Sequence, residues 1–541
     1  KSDFFCMVNA GSPTTDDIVP FLDCFWGLAS TDGPERAIAG ASLTTHILGD
    51  DADRDYAMKR LVRGLCSSRD SARQGFSTGL TMLLAETSEE TLPSSQVLKA
   101  LLDETETTSA MRGADERDLL LGRLFGLACF ARAHATHDDA TTTATTPRPT
   151  LRTWNVETMS EVIEKLVELY DKRKWMHEAG LNILKELVDK APLALLASHI
   201  LPKLATRAPF SESADDPLTF QPDDLALALT VERGLRRFQS CDGEEAEMKT
   251  DATALFPHWI RPSVDGSLPW LLRAERIGVL VEALKASTAT YPRLHMAWEL
   301  VLQALVEDDE DHKTLLKFWQ VAVEESLVAS SSHQMKGTAL NLLALLVPRL
   351  PAAEAARFAS PPLVRLLVNS TRKKENYLRE AAMGCLKGIA DARRTDPDWR
   401  LALASELVQS EDNFDAKTGT KTIATLVENL DEAAVARYLT ILEKMLLRSS
   451  QLSGAPSGME REDGMRRIES QRMWAVSALH GTTRTATGQQ RLFPRVATLL
   501  MATAFFDVGK LRSIEDMKPP TSPKKKSKRR KSVKGGGGGA A

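Results

Sequence analysis

YAMKRLVRGLCSSRDSARQGFSTGLTMLLAE, residues 56–86, carries five cations among apolar residues, and the spacing of the apolar ones decides how the chain folds. Over Ala57 to Cys66, Met58, Leu61, Val62 and Leu65 share one stripe at about 100° per residue, with Lys59, Arg60 and Arg63 about 100–160° away from it. Those three cations should face solvent. SSRDS then interrupts the period. A second stripe follows, made of Ala72, Phe76, Leu80, Leu83 and Leu84. The same geometry puts Arg69 within about 20° and Arg73 within about 50° of its centre, so both are expected to point inward. Two amphipathic helices this close in sequence should form an antiparallel hairpin.

The same period runs through nearly every ordered-looking segment, for example DDIVPFLDCFWGLA, VETMSEVIEKLVELY and VARYLTILEKMLL, while alternation with a period of two is absent. Breaks fall at GSPTTDD, TDGPER, TYPRL and RTDPDW. The chain reads as about twenty helices, more than one bundle core can shelter in 541 residues. The expected fold is all-α: an armadillo/HEAT-like helical solenoid of helix pairs roughly 40–47 residues long, spanning residues 1–517. No repeat is visible in the sequence itself. Mobile loops are expected near residues 134–150, 241–253 and 449–465, where periodicity lapses. Residues 518–541 should form a disordered tail, rich in proline, then basic residues, then glycine.

Composition narrows the functional classes. Hydrophobic residues at 43% and charged ones at 26% describe a folding chain, not a disordered one. The six cysteines are scattered without a CxxC pair, which argues against both a disulfide framework and a cysteine-rich zinc site and fits a reducing compartment. Apolar runs fall short of a membrane span, and no signal-peptide pattern opens the chain. It begins with Lys1, as a fragment would.

The net charge of −4 averages two unlike parts. Lys518 to Lys534 hold nine of the 69 cations and no acid, which leaves 60 cations against 73 acids elsewhere, a body of −13. Such a body speaks against one large DNA-binding face, because that binding rests on phosphate neutralisation. Local patches remain, and Lys59, Arg60 and Arg63 are the candidate nucleic-acid contacts. Inward arginines need partners, since an unpaired buried charge is costly. Asp115, Glu116 and Asp118, which open the next helix in ADERDLLLGRLFGL, are the expected mates of Arg69 and Arg73.

The densest functional signal is KKKSKRRK. Lys524, Lys525, Lys526, Lys528, Arg529, Arg530 and Lys531 on an extended tether suit nuclear import receptors or nucleic-acid phosphates. Ser522, followed by Pro523 and Lys525, is a candidate phosphosite whose phosphate would cancel part of that charge. HATH at residues 134–137, followed by Asp138 and Asp139, offers metal-ligand types but sits in an expected loop with no second ligand pair, so no metal and no cofactor is expected. The acid runs Asp50-Asp51-Ala52-Asp53 and Asp308-Asp309-Glu310-Asp311 fall at helix ends, where they belong to turns and caps. No P-loop, GxSxG, HExxH or GxGxxG pattern appears. Trp26, Trp154, Trp175, Trp270, Trp298, Trp319, Trp399 and Trp474 come about one per helix and are expected in the core. Catalytic residues are therefore not expected, and the chain reads as non-enzymatic.

KRLVRGLCSSRDSARQGFSTGLTMLL followed by ERDLLLGRLFGL resembles the signature of the DNA polymerase phi family, which takes in the Myb-binding protein 1a and yeast DNA polymerase V branches. Further strings agree in the same order: LDCFWGLAS, KWMHEAGLNILKEL, YPRLHMAWELVL, FWQVAVEESLVASSSHQMKGTALNLL, NFDAKTGTKTIATLVENLD and QRMWAVSAL. The resemblance spans Leu22 to about Leu479 and implies a nucleus- and nucleolus-located, armadillo-like protein of ribosomal RNA gene transcription and ribosome biogenesis. Partners implied are proteins of rDNA transcription or pre-ribosome assembly and, in some members, transcription factors; DNA or RNA is a separate expectation that rests on Lys59, Arg60 and Arg63. The polymerase in the family's name is not carried by this sequence, which has neither a strand-rich palm nor a YGDTD-like motif. Family members are longer. The competing expectation is an importin-like nuclear transport adaptor, built from the same helix pairs but binding Ran.

Overall fold

The computed structural model describes residues 18–49, 51–134, 152–207, 221–238, 255, 268, 270–309, 311–411, 413–428, 430–447, 458–482 and 492–505. Among them every regular element is helical. The chain divides into two units, residues 1–325 and 326–541.

In the first unit the ordered helices are α1 (Phe21–Leu28), α2 (Gly33–Gly49), α3 (Asp51–Leu65), α4 (Asp70–Glu86), α5 (Ser94–Glu104), α6 (Gly113–Ala133), α7 (Val156–Lys172) and α8 (His177–Lys190). After an irregular helical stretch over residues 193–205 come α9 (Pro222–Arg236), α10 (Ile277–Ala286), α11 (Met296–Asp308) and α12 (Lys313–Phe318). Each stripe read from the sequence is buried: Met58, Leu61, Val62 and Leu65 on α3; Ala72, Phe76, Leu80, Leu83 and Leu84 on α4. Each of the larger of these side chains, Ala72 apart, contributes about 1.5–3 kcal/mol when withdrawn from water. Polar residues set the ends. Asn155 accepts from the Thr158 amide at 3.1 Å to start α7, and Gln221 with Asp224 forms a capping box on α9.

Packing follows a rule of two. α2 packs on α4, α4 on α6, α6 on α8, α8 on α9 and α9 on α11, while α3, α5 and α7 form a second row. Each helix thus buries its stripe against neighbours in sequence, which defines a solenoid. Along the first row, α4, α6, α8, α9 and α11 start 43, 64, 45 and 74 residues apart. The two long intervals contain residues 135–151 and 239–267, so the spacing along the row is uneven and the repeat is hidden from the sequence.

The second unit uses a rule of three. Its helices are α13 (His333–Leu346), α14 (Ala352–Phe358), α15 (Pro361–Thr371), α16 (Arg379–Asp391), α17 (Pro397–Ser410), α18 (Phe414–Thr418), α19 (Thr422–Glu428), α20 (Glu432–Leu446), α21 (Gly458–Thr482) and α22 (Phe493–Phe505). Here α13 packs on α16 and α16 on α19; α14 packs on α17 and α17 on α20; α15 packs on α18. α13, α16 and α19 begin 46 and 43 residues apart, within the expected repeat length. The all-α solenoid expected from the sequence is what the helices build, with paired helices in one unit and triplets in the other.

Three expectations need correcting. Arg69 is exposed, because it precedes the first turn of α4 with an extended backbone and the helical projection does not reach it. Trp26 is 74% exposed and Trp175 is also on the surface, whereas Trp298, Trp319 and Trp399 are fully buried as core packing requires. The expected loop at 449–465 gives way to α21 from Gly458, in a stretch rich in the helix formers Glu, Arg and Met. Residues 135–150 and 241–253, and the tail from 518 with its basic cluster and Ser522, lie outside the described residues.

Candidate nucleic-acid interface

Because the buried stripe of α3 runs through Met58, Leu61, Val62 and Leu65, its opposite side turns Tyr56, Lys59, Arg60 and Arg63 to solvent. The three cations differ in what they touch. Arg63 donates to Glu104 on α5 at 3.1 Å, so part of its charge is already matched. Arg60 sits over the Phe25 ring, 5.7 Å from its centre, a cation–π contact that holds the guanidinium beside α1. Lys59 has no carboxylate within salt-bridge distance among the described residues. Aromatic rings flank them: Tyr56 lies 5.9 Å from Phe21 and 6.0 Å from Phe25, and the exposed Trp26 follows Phe25 on α1. Cations interleaved with aromatic faces are what a nucleic-acid backbone and an unpaired base would meet.

Arg73 points the other way and is 2% exposed. Its guanidinium reaches Asp70 at 3.3 Å and Asp118 on α6 at 3.8 Å, so it ties the start of α4 to the second turn of α6. Glu116 is taken by Arg173, just before α8, at 3.0 Å, and Asp115 is exposed. The edge continues past what the sequence suggested. Glu178 in the first turn of α8 accepts from Arg293 and, at 2.9 Å, from the Met296 amide that opens α11. Asp223 in the first turn of α9 lies 3.1 Å from His295 and 3.5 Å from His177. Carboxylates therefore stand at the N-terminal ends of α6, α8 and α9, where the helix dipole favours negative charge, and each is held by a cation or histidine of a neighbour. Arg132 to Glu186 at 2.9 Å links α6 to α8 in the same manner at the other end.

The remaining candidates have structural surroundings. His134 is buried and stacks on Trp154 at 4.1 Å; its Nδ1 lies 2.8 Å from the Phe130 carbonyl, and burial pushes its pKa down, so the ring is held neutral. His137, Asp138 and Asp139 lie outside the described residues. Asp309 accepts from the Leu315 amide at 2.8 Å, and Asp311 pairs with Lys313 at 2.6 Å, which makes that acid run part of a helix turn. Cys24, Cys66, Cys129 and Cys385 are free thiols. Burial pushes Cys24 and Cys66 up to about 11 and Cys385 to about 12, far from a thiolate at neutral pH. Among the described residues no group of three or more His, Cys, Asp or Glu could hold a metal ion, and no helix is long and apolar enough to cross a membrane.

A row of stacked helices pinned by charges between repeats is the build of an all-α helical-repeat protein. The DNA polymerase phi family model matches residues 56–535, and the chain belongs to that family. The rDNA transcriptional regulator pol5 of Schizosaccharomyces pombe is 23% identical over 502 residues, covering 90% of this chain and 47% of the relative. The rDNA transcriptional regulator POL5 of Saccharomyces cerevisiae is 24% identical over 478 residues, 77% of this chain and 44% of the relative. A Myb-binding protein 1A-like protein of Danio rerio is 20% identical over 512 residues, 91% of this chain and 36% of the relative. The chain spans less than half the length of these three curated relatives.

Proposed function

We propose that the chain is a non-enzymatic nucleolar scaffold that regulates transcription of ribosomal RNA genes and the ribosome production that follows. Its helical surface holds protein partners of rDNA transcription or pre-ribosome assembly, α3 touches DNA or RNA, and nuclear import receptors read Lys524 to Lys531. The observation that carries this reading is the family match, which runs through both units, together with the role named for the two yeast relatives. A solenoid suits the role because each repeat exposes its own surface while resting only on its neighbours.

Fused to a fluorescent protein, the full chain should collect in nucleoli, and replacing the seven cations of Lys524 to Lys531 with alanine should leave it in the cytoplasm. An unchanged nucleolar signal would remove the targeting role from the tail. On α3, the pair Lys59→Ala and Arg60→Ala should lower the salt slope of duplex DNA binding by about 2, near 0.9 for each phosphate released. Adding Arg63→Ala should change it by less than another 0.9, because that guanidinium is already shared with Glu104. Titration of DNA affinity between 50 and 200 mM salt reads both; equal slopes in wild type and the double variant would show that α3 holds no phosphate.

A further inference from the structure

The second unit carries a basic surface that the composition of the body conceals. Between α15 and α16 runs Arg372 to Leu378, RKKENYL. Arg372 keeps helical backbone angles (φ −58°, ψ −41°), so it extends the face of α15. Arg365 is seven residues earlier, two turns back on the same side and about 10 Å along the axis. Arg365, Arg372, Lys373 and Lys374 are all exposed, and none has a carboxylate within salt-bridge distance among the described residues. Glu375 is the sole acid from Pro361 to Leu378. Two other exposed arginines of the same unit do have partners, Arg437 in Asp398 and Arg394 in Asp391. Four unpaired cations side by side repel one another, and an anion laid across them relieves that repulsion.

The loop also presents a ring. Tyr377 is 85% exposed, the highest among the large apolar and aromatic side chains described, and its ring stands 5.7 Å from that of His333 at the start of α13. Local hydrogen bonds fix this display. The Asn376 side chain donates to the Asn369 carbonyl at 3.3 Å and accepts from the Leu378 amide at 2.9 Å, Arg379 donates to the Thr371 carbonyl, and Leu378 is buried as an anchor. Tyr377 is thus held outward on a braced turn.

We propose that Arg365, Arg372, Lys373, Lys374 and Tyr377 form a docking site for single-stranded RNA, the cations following the phosphates and Tyr377 stacking on an unpaired base. Charge selects a polyanion, and the ring selects its kind. A duplex keeps both faces of its bases stacked, so Tyr377 finds a face only on an unpaired strand, and unpaired bases are characteristic of RNA loops and single strands. An acidic peptide would satisfy the cations and leave the ring without use. The site lies apart in sequence from α3 and stands whether or not the scaffold reading holds.

The test uses the full chain with the seven cations of residues 524–531 changed to alanine, so that the tail contributes no phosphate contacts. Binding of a 20-nucleotide oligouridine is followed by fluorescence anisotropy, alongside oligothymidine, a 20-base-pair DNA duplex and an oligoglutamate peptide. Changing Arg365, Arg372, Lys373 and Lys374 together to alanine should weaken oligouridine binding more than tenfold and reduce the salt slope by about 3, near 0.7 for each single-strand phosphate. Tyr377→Ala should weaken it about tenfold with the slope unchanged, and Tyr377→Phe should restore it, because stacking needs the ring and not the hydroxyl. Changing Lys59, Arg60 and Arg63 should not reproduce the Tyr377 effect, which separates this site from α3. Equal oligouridine affinity in wild type and the quadruple variant would overturn the proposal, as would tighter binding of oligoglutamate or duplex than of oligouridine. Tighter oligothymidine binding would overturn the assignment to RNA.

Discussion

Alanine at Gly75 should destabilise the first unit by about 3 kcal/mol or more, the upper end of what overpacking costs a folded core. A Cβ built there would lie 1.8 Å from the Leu28 carbonyl oxygen and 2.8 Å from Cδ of Arg36. The nearer obstacle is backbone at the end of α1, which cannot turn aside as a side chain could. Relief would require α4 to move off α1, and α4 also packs on α2, α3 and α6, so the shift would spread through the first repeats. Gly388 on α16 is the control. A Cβ there meets nothing within 4 Å, so Gly388→Ala should stabilise the chain by about 0.5–1 kcal/mol through helix propensity. Urea unfolding followed by circular dichroism measures both, and a Gly75→Ala midpoint equal to wild type would refute the close approach.

Arg400→Met should cost the second unit about 4 kcal/mol. Arg400 is 0% exposed and answers no carboxylate within salt-bridge distance among the described residues. From α17 its guanidinium donates to the Ala390 carbonyl at 3.3 Å and the Ala392 carbonyl at 3.1 Å, and to the Leu426 carbonyl at 3.0 Å and that of Thr425. These oxygens belong to the C-terminal ends of α16 and α19, where the helix dipole is negative and carbonyls lack partners within the helix. One side chain therefore closes two helix ends of successive triplets. Methionine fills the volume and leaves the carbonyls dry, at about 1–3 kcal/mol for each group stranded. Hydrogen exchange should show lost protection across residues 379–428 with protection in the first unit retained. Arg437→Ala, which removes an exposed pair with Asp398, should cost under about 1 kcal/mol by the same measurement.

How much of this was legible differs from residue to residue. The stripes of α3 and α4 were readable because a helix that buries one side must repeat its apolar residues every three to four positions, and those residues are the ones buried. Arg73 was readable on the same ground, and Asp118 was within the set of mates its burial demanded. Arg69 was not, since the position of the first helical turn decides whether a projection applies, and Asp70 begins the helix one residue too late for it. Arg400 left no trace in the sequence because its partners are backbone carbonyls, which every residue carries. Trp26 and Trp175 read as core because aromatic residues usually are, and only the packing of their neighbours puts them outside. Tyr377 could have been noticed, because three cations in a row are followed within three residues by tyrosine in a break between helices.

By itself the sequence determined that the described residues fold as helices, which faces of α3 and α4 are buried, and to which family the ordered strings belong. These are local matters, settled by periodicity, caps and residue identity within some twenty positions. The tertiary structure alone decided that helices stack in pairs in the first unit and in triplets in the second, which carboxylate meets which cation, and which cations are left without one. Those outcomes depend on what lies across an interface from each side chain, and in the first unit the helices of the row start 43, 64, 45 and 74 residues apart, so no fixed spacing there records the repeat.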